Sequence, residues 1–127
     1  MENISAEKLR KLIYTNLLVG RYLDLSDKGL SEVPEAITYL TELRALNLSR
    51  NYLKELPTSV NKLKNLKWLI LYKNQLRELP HSICELISNL TWLSVSNNHL
   101  SVLPSNIKHL KNLRRLYLSS NQLDCIA

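Results

Sequence analysis

Apolar residues recur along this chain in a compound spacing that one secondary structure alone does not produce. From Leu43 the order is Leu43, Leu46, Leu48, Asn51, Leu53, Leu56, Pro57. It returns as Leu66, Leu69, Leu71, Asn74, Leu76, Leu79, Pro80, and again as Leu90, Leu93, Val95, Asn98, Leu100, Leu103, Pro104. Another copy runs Leu113, Leu116, Leu118, Asn121, Leu123, Ile126. A degraded copy comes first, as Leu23, Leu25, Lys28, Leu30, Val33, Pro34, with Gly20 in the leading Leu position and Lys28 in the Asn position. The copies start at 20, 43, 66, 90 and 113, so the period is 23 with one residue added once. That residue is expected in the segment around 83–88, opposite the strands, where the backbone is least constrained.

Each part of the unit has a physical reading. In Leu-x-Leu the two Leu side chains leave a strand on the same face, and the residues around them leave on the other. The Asn stands where the chain leaves the strand. Its amide both donates and accepts, so stacked copies can satisfy neighbouring backbone groups as a ladder. After each Pro, apolar residues lie three apart: Ile37 and Leu40, Val60 and Leu63, Ile83 and Leu86, Ile107 and Leu110. That spacing predicts a short helix or 3₁₀ turn with Pro in its first position. One unit cannot enclose its Leu face alone, whereas stacked units share a continuous core.

Residues 1–19 lack the repeat. Ser5 is a candidate N-cap, with Glu7 in the first turn and Leu9, Leu12, Ile13 and Leu17 at helical spacing. This segment is expected to be a capping helix that closes the first unit. Lys8, Arg10 and Lys11 leave open a basic amphipathic helix that docks on a membrane or partner.

The pattern resembles the leucine-rich-repeat family, in its 23-residue typical or Ras-group form, and the likeness covers residues 20–127. The resemblance implies an α/β solenoid with a concave parallel β-sheet, short helical or 3₁₀ convex segments and five repeats, the last incomplete. It also implies a non-catalytic, commonly intracellular protein-binding scaffold, regulator or adaptor in signalling, with small GTPases or phosphatases among its partners. The first copy departs from the pattern and is expected to act as a degenerate cap. The last copy reaches Ala127 before any Pro-led return segment. An uncovered edge of Leu116, Leu118 and Leu123 there would invite self-association.

The register fixes which side chains face outward from the sheet. One column reads Tyr22, Ala45, Trp68, Trp92, Arg115, and the central one reads Asp24, Asn47, Ile70, Ser94, Tyr117. A third reads Ser26, Ser49, Tyr72, Ser96, Ser119, with Arg44 and Lys67 flanking on one side and Arg50 and Lys73 on the other. Both Trp residues of the chain fall in adjacent units of one column. A water-facing sheet gains little in folding from Trp and Ile, whereas exposed apolar clusters rimmed by polar groups mark interaction sites. The expected partner-binding residues are Tyr22, Arg44, Asn47, Arg50, Trp68, Ile70, Tyr72, Lys73, Trp92, Ser94, Arg115 and Tyr117. The alternative is that these side chains simply pack across a twisted sheet.

Charge sharpens that surface. The whole chain carries a formal +6. The concave and flanking columns hold seven cations against Asp24 and Asp27, a net +5. Such a face should steer an acidic protein partner. Aromatic residues among cations also suit single-stranded nucleic acid, although no nucleic-acid motif accompanies them.

No catalytic, metal or cofactor site is expected. His81, His99 and His109 belong to different repeats and have no nucleophile or carboxylate partner in register. Cys84 and Cys125 lack metal-ligand spacing and read as free thiols. The N-terminus has no apolar h-region, and no stretch approaches the roughly 18 apolar residues of a membrane span. A cytoplasmic location is therefore expected, with the nucleus left open as a second possibility. The acceptor patterns at Asn3, Asn47 and Asn89 read as chance matches in that setting.

Overall fold

The structure, a computed structural model, describes residues 5, 7–11, 14, 21–80, 83, 89–104 and 112–123. Five short strands form one parallel sheet: β1 (Tyr22–Asp24), β2 (Ala45–Asn47), β3 (Trp68–Ile70), β4 (Trp92–Ser94) and β5 (Arg115–Tyr117). Spatial order equals chain order, and every pair is parallel. The register joins equivalent positions: Leu23, Leu46, Leu69, Leu93 and Leu116 stand side by side. Beyond the strands the ladder continues from Leu25 N–H to Asn47 O at 2.8 Å, Leu48 to Ile70 at 2.8 Å, Leu71 to Ser94 at 2.7 Å and Val95 to Tyr117 at 2.9 Å.

The repeated Leu positions are the core. Leu23, Leu25, Leu46, Leu48, Leu69, Leu71, Leu93 and Val95 are fully enclosed, as are Leu30, Leu53, Leu76 and Leu100 after the turn. Each such side chain contributes about 1.5–3 kcal/mol of burial. Because neighbouring units pack the same shape in the same place, the core runs the length of the sheet.

The Asn column is the polar counterpart of that core. Asn51 Oδ1 accepts from Lys28 N–H and Leu30 N–H, both at 3.0 Å. Its Nδ2 donates to Leu25 O at 3.0 Å and Leu48 O at 2.9 Å. Asn74, Asn98 and Asn121 repeat the arrangement on the carbonyls and N–H groups of their own and the preceding unit. The Asn thus reaches backwards, and Asn51 already serves Leu25 O and the N–H groups of Lys28 and Leu30 in the first copy.

A second Asn column, absent from the expectations above, ties the opposite corner. Asn65 Nδ2 donates to Thr41 O at 2.8 Å, and Asn89 Nδ2 to Lys64 O at 2.9 Å.

Two convex segments are 3₁₀ turns, Glu35–Tyr39 and Thr58–Lys62. Pro34 and Pro57 stand one residue earlier than expected, as capping residues with extended ψ of 127° and 147°. Their carbonyls accept from Ile37 and Val60 N–H, both at 3.1 Å, so Pro opens the turn from outside it. Ile83 N–H bonds Pro80 O in the same way. Val60 to Asn65 is five steps and Ile83 to Asn89 is six, which puts the added residue between Ile83 and Asn89. Leu86, Ile107 and Leu110 lie outside the described residues.

At the N-terminal end, residues 7–11 are helical. Ser5 Oγ accepts from Lys8 N–H at 3.2 Å, the N-cap bond expected of it. Leu9 is buried in the common core. Leu12, Ile13 and Leu17 lie outside the described residues. At the other end Leu113, Leu118 and Leu123 are only partly buried. Leu116 is 37% exposed where its four equivalents are at 0%. Among the described residues β5 has a paired neighbour on one side only.

Candidate functional site

The sheet presents the expected columns outward, and the central units carry their aromatic residues into contact. Trp68 and Trp92 are directly paired in register. Their ring centroids lie 5.2 Å apart at 62°, an edge-to-face contact. Trp92 meets Tyr117 of the next strand at 6.3 Å and 64°. The Arg115 guanidinium lies 5.5 Å from the Trp92 ring centre. The three rings thus form a continuous row over β3, β4 and β5, with a cation on the middle one. Edge-to-face pairs contribute about 0.5–1.5 kcal/mol each beyond their burial, and a cation over Trp about 0.5–1 kcal/mol when exposed.

The row is accessible at both ends. Trp68 and Tyr117 are each 46% exposed. Trp92 between them is half-buried, and its Nε1 is enclosed without an acceptor. Ile70 is half-buried beside the row, paired with Asn47 and Ser94. Tyr72 is also half-buried, with Arg50 5.9 Å from its ring centre. Tyr22 is exposed at the first unit, and its hydroxyl accepts from Asn47 Nδ2 at 3.4 Å.

Ser94 differs from the expectation. It is only 7% exposed, because its short side chain sits in register between Ile70 and Tyr117. Ser94 is floor beneath the cluster rather than a contact. Ser49 and Ser96 of the third column are covered as well. Ser49 Oγ donates to Asn47 Oδ1 at 2.6 Å, and Ser26 Oγ to Asp24 Oδ1 at 2.6 Å. These hydroxyls complete local turns.

Cations surround the aromatic row. Arg44, Lys67, Arg114 and Arg115 are exposed on the sheet side, and Arg50 and Lys73 at the turn that follows the strands. Among the described residues the ion pairs are Glu7 with Lys11 and Arg21 with Glu42, so these six cations face no carboxylate. Arg50 and Arg115 lie instead over the Tyr72 and Trp92 rings.

Arg50 and Lys73 occupy a special backbone position. Asp27, Arg50, Lys73, Asn97 and Ser120 all have φ between 55° and 59°. Each N–H nevertheless bonds forward to the next unit where one follows, as Arg50 N–H does to Tyr72 O at 2.8 Å and Lys73 N–H to Ser96 O at 3.0 Å. The left-handed residue turns the chain off the sheet without breaking the ladder. It also brings Tyr52 and His99, which are exposed, and the half-buried Gln75 into a row of their own. The sequence assigned His99 to a repeat of its own and did not join it to Tyr52. The recurring x of Asn-x-Leu was the available signal.

Among the described residues no group of His, Cys, Asp and Glu could hold a metal ion, and no helix is long and apolar enough to cross a membrane. His81, His109, Cys84 and Cys125 lie outside the described residues.

A parallel ladder with a shared Leu core and an Asn spine defines a repeat solenoid. The chain belongs to the leucine-rich-repeat family: a family model described as "Leucine-rich repeat region" matches residues 2–75, and one described as "Leucine rich repeat" matches residues 64–123. Similar solved structures include a leucine-rich-repeat protein of Leptospira interrogans, at 32% identity and a TM-score of 0.76 over 99% of this chain and 37% of that one. The leucine-rich repeat domain of APL1B is similar at 25% identity and a TM-score of 0.77, over 97% of this chain and 37% of that one. The BIR2 ectodomain of Arabidopsis thaliana is similar at 34% identity and a TM-score of 0.72, over 81% of this chain and 56% of that one. The chain thus spans between about a third and just over half of these relatives' length. Comparison with curated protein sequences gives no match. Leucine-rich-repeat domains generally mediate protein–protein interaction and are generally non-catalytic scaffolds.

Proposed function

We propose that this chain binds an acidic partner protein on its concave sheet, with Trp68, Ile70, Trp92 and Tyr117 as the apolar centre and Arg44, Lys67, Arg114 and Arg115 around it. The observation that carries this reading is the in-register row of three touching rings, open to solvent at both ends. Trp, Tyr and Arg dominate interface energetics because they offer large rigid contact areas at small entropic cost. Unpaired cations around them supply orientation and speed of association, and make both depend on salt. On this reading residues 1–19 cap the wall formed by residues 20–127. A small GTPase or a phosphatase is the first partner to test, since the family resemblance implies them.

The test is a capture experiment from cell lysate with the wild-type chain beside the Trp68→Ala/Trp92→Ala variant. Partners held by the wild type and lost by the variant support the reading. Partners retained equally by both reject it. The variant keeps its fold, because neither ring belongs to the Leu core.

A further inference from the structure

Beside the concave sheet, where the chain turns off the strands, runs a groove of about 610 Å³ lined by Asp27, Arg50, Tyr52, Lys73, Gln75 and His99. His99 also lines a second hollow of about 450 Å³ with Arg77, so the two adjoin at that residue. The lining is fixed by the solenoid. Tyr52 N–H bonds Leu30 O at 2.7 Å, Gln75 N–H bonds Leu53 O at 2.8 Å, and His99 N–H bonds Leu76 O at 2.8 Å. Each side chain therefore repeats at the strand spacing of roughly 4.8 Å. Arg50, Lys73 and Arg77 are exposed there and face no carboxylate in an ion pair among the described residues. Asp27 lies at one end of the row.

We propose that this groove takes an acidic peptide segment of the same partner, which continues from the concave face over the turn. The inference rests on the concave-face reading above. Continuity supports it, because Arg50 belongs to both surfaces: it lies over the Tyr72 ring on the sheet side and lines the groove. Charge complementarity supports it too, since Arg50 and Lys73 in the groove, with Arg77 in the adjoining hollow, outnumber Asp27 and attract Asp- and Glu-rich chain. The composition selects peptide over nucleic acid. Gln75 offers an amide suited to peptide groups. Tyr52 is a single exposed ring rather than a stacking series, and Asp27 would repel a continuous phosphate backbone.

The experiment uses the full chain and a fluorescent oligoglutamate peptide, with anisotropy read at low salt. Four proteins are compared: wild type, Arg50→Glu/Lys73→Glu in the groove, Lys62→Glu/Lys64→Glu on the convex side, and Trp68→Ala/Trp92→Ala. The groove reversal should weaken binding by about tenfold or more, and the convex reversal, with the same change in net charge, by less than about threefold. Arg50→Gln/Lys73→Gln should weaken it in the same direction, which guards against misfolding of the reversed variant. Equal weakening by both reversals overturns the inference, because net charge alone would then account for binding. Tighter binding of single-stranded oligouridylate than of oligoglutamate at the groove also overturns it. If the Trp variant loses lysate partners while groove reversal leaves the peptide unaffected, the groove falls and the concave reading stands. If groove reversal releases the peptide while the Trp variant retains every partner, the concave reading falls alone.

Discussion

Asn74 shows how much a single side chain carries in this fold. Its amide satisfies Leu53 N–H at 3.0 Å, Leu48 O at 3.0 Å and Leu71 O at 3.2 Å, all in the enclosed interior. Asn74→Ala strands these groups away from water, where each unpaired group costs about 1–3 kcal/mol. Partial relaxation keeps the total to about 2–4 kcal/mol, seen as a lower urea midpoint at unchanged slope. Asn74→Asp should be no better, since its carboxylate would face two carbonyls. Lys73 next to it presents a different balance. A non-Gly residue in the left-handed region costs about 1–2 kcal/mol, and Gly would remove that penalty while adding about 0.5–1 kcal/mol of chain entropy. The effects nearly cancel, so Lys73→Gly should melt within a few degrees of the wild type. Lys73→Val, whose branched Cβ suits φ 59° poorly, should melt clearly lower.

A strand here is three residues with two unlike faces. On β3, Leu69 is enclosed and Trp68 beside it is 46% exposed. Leu69→Ala should cost about 2–5 kcal/mol through lost burial and the cavity left behind. Trp68→Ala should cost less than that, because the ring is 46% exposed and its loss leaves no enclosed cavity. Equal losses in denaturant titrations would contradict this division of faces. The division was legible in the sequence because a period of two and a constant repeat length leave one in-phase register. The Asn spine was legible for the same reason. Ser94 was not, because its exposure depends on the bulk of Ile70 and Tyr117 in adjoining strands rather than on its own alternation. The groove was hidden for a third reason. Tyr52, Gln75 and His99 are far apart in the chain and dissimilar in type, and only the left-handed turn before each Asn reveals them as neighbours. The position of Pro34 and Pro57 outside their 3₁₀ turns follows from extended ψ values that spacing alone does not specify.

At the scale of the whole molecule, strand pairing runs only between neighbours. Stability therefore varies along the solenoid as each unit gains from one flank or two. β2 and β3 have neighbours on both sides, and their Leu residues are fully enclosed. β5 has one neighbour, and Leu116 is in part open to water. Native-state hydrogen exchange should show amides of Leu46 and Leu69 opening near the global unfolding free energy and those of Leu116 and Leu118 well below it. Uniform protection across all five strands would contradict the gradient. The gradient bears on the proposed function, because Tyr117 and Arg115 of the aromatic row stand on the strand expected to open first, while Trp68 stands on one expected to open last.

The in-register pairing of the two indoles makes the wall a spacer of adjustable length. Splicing a duplicate of the second unit, with Ala at the indole position, between the third and fourth would leave each type of backbone bond and the Leu packing intact. It would also move Trp68 and Trp92 from adjacent strands to about 10 Å apart, and their edge-to-face contact would be gone. Such a lengthened chain should resist heat better than the parent and yet hold its partner more weakly. Folding strength and recognition can thus be separated in this architecture by counting modules, without altering any side chain of the original.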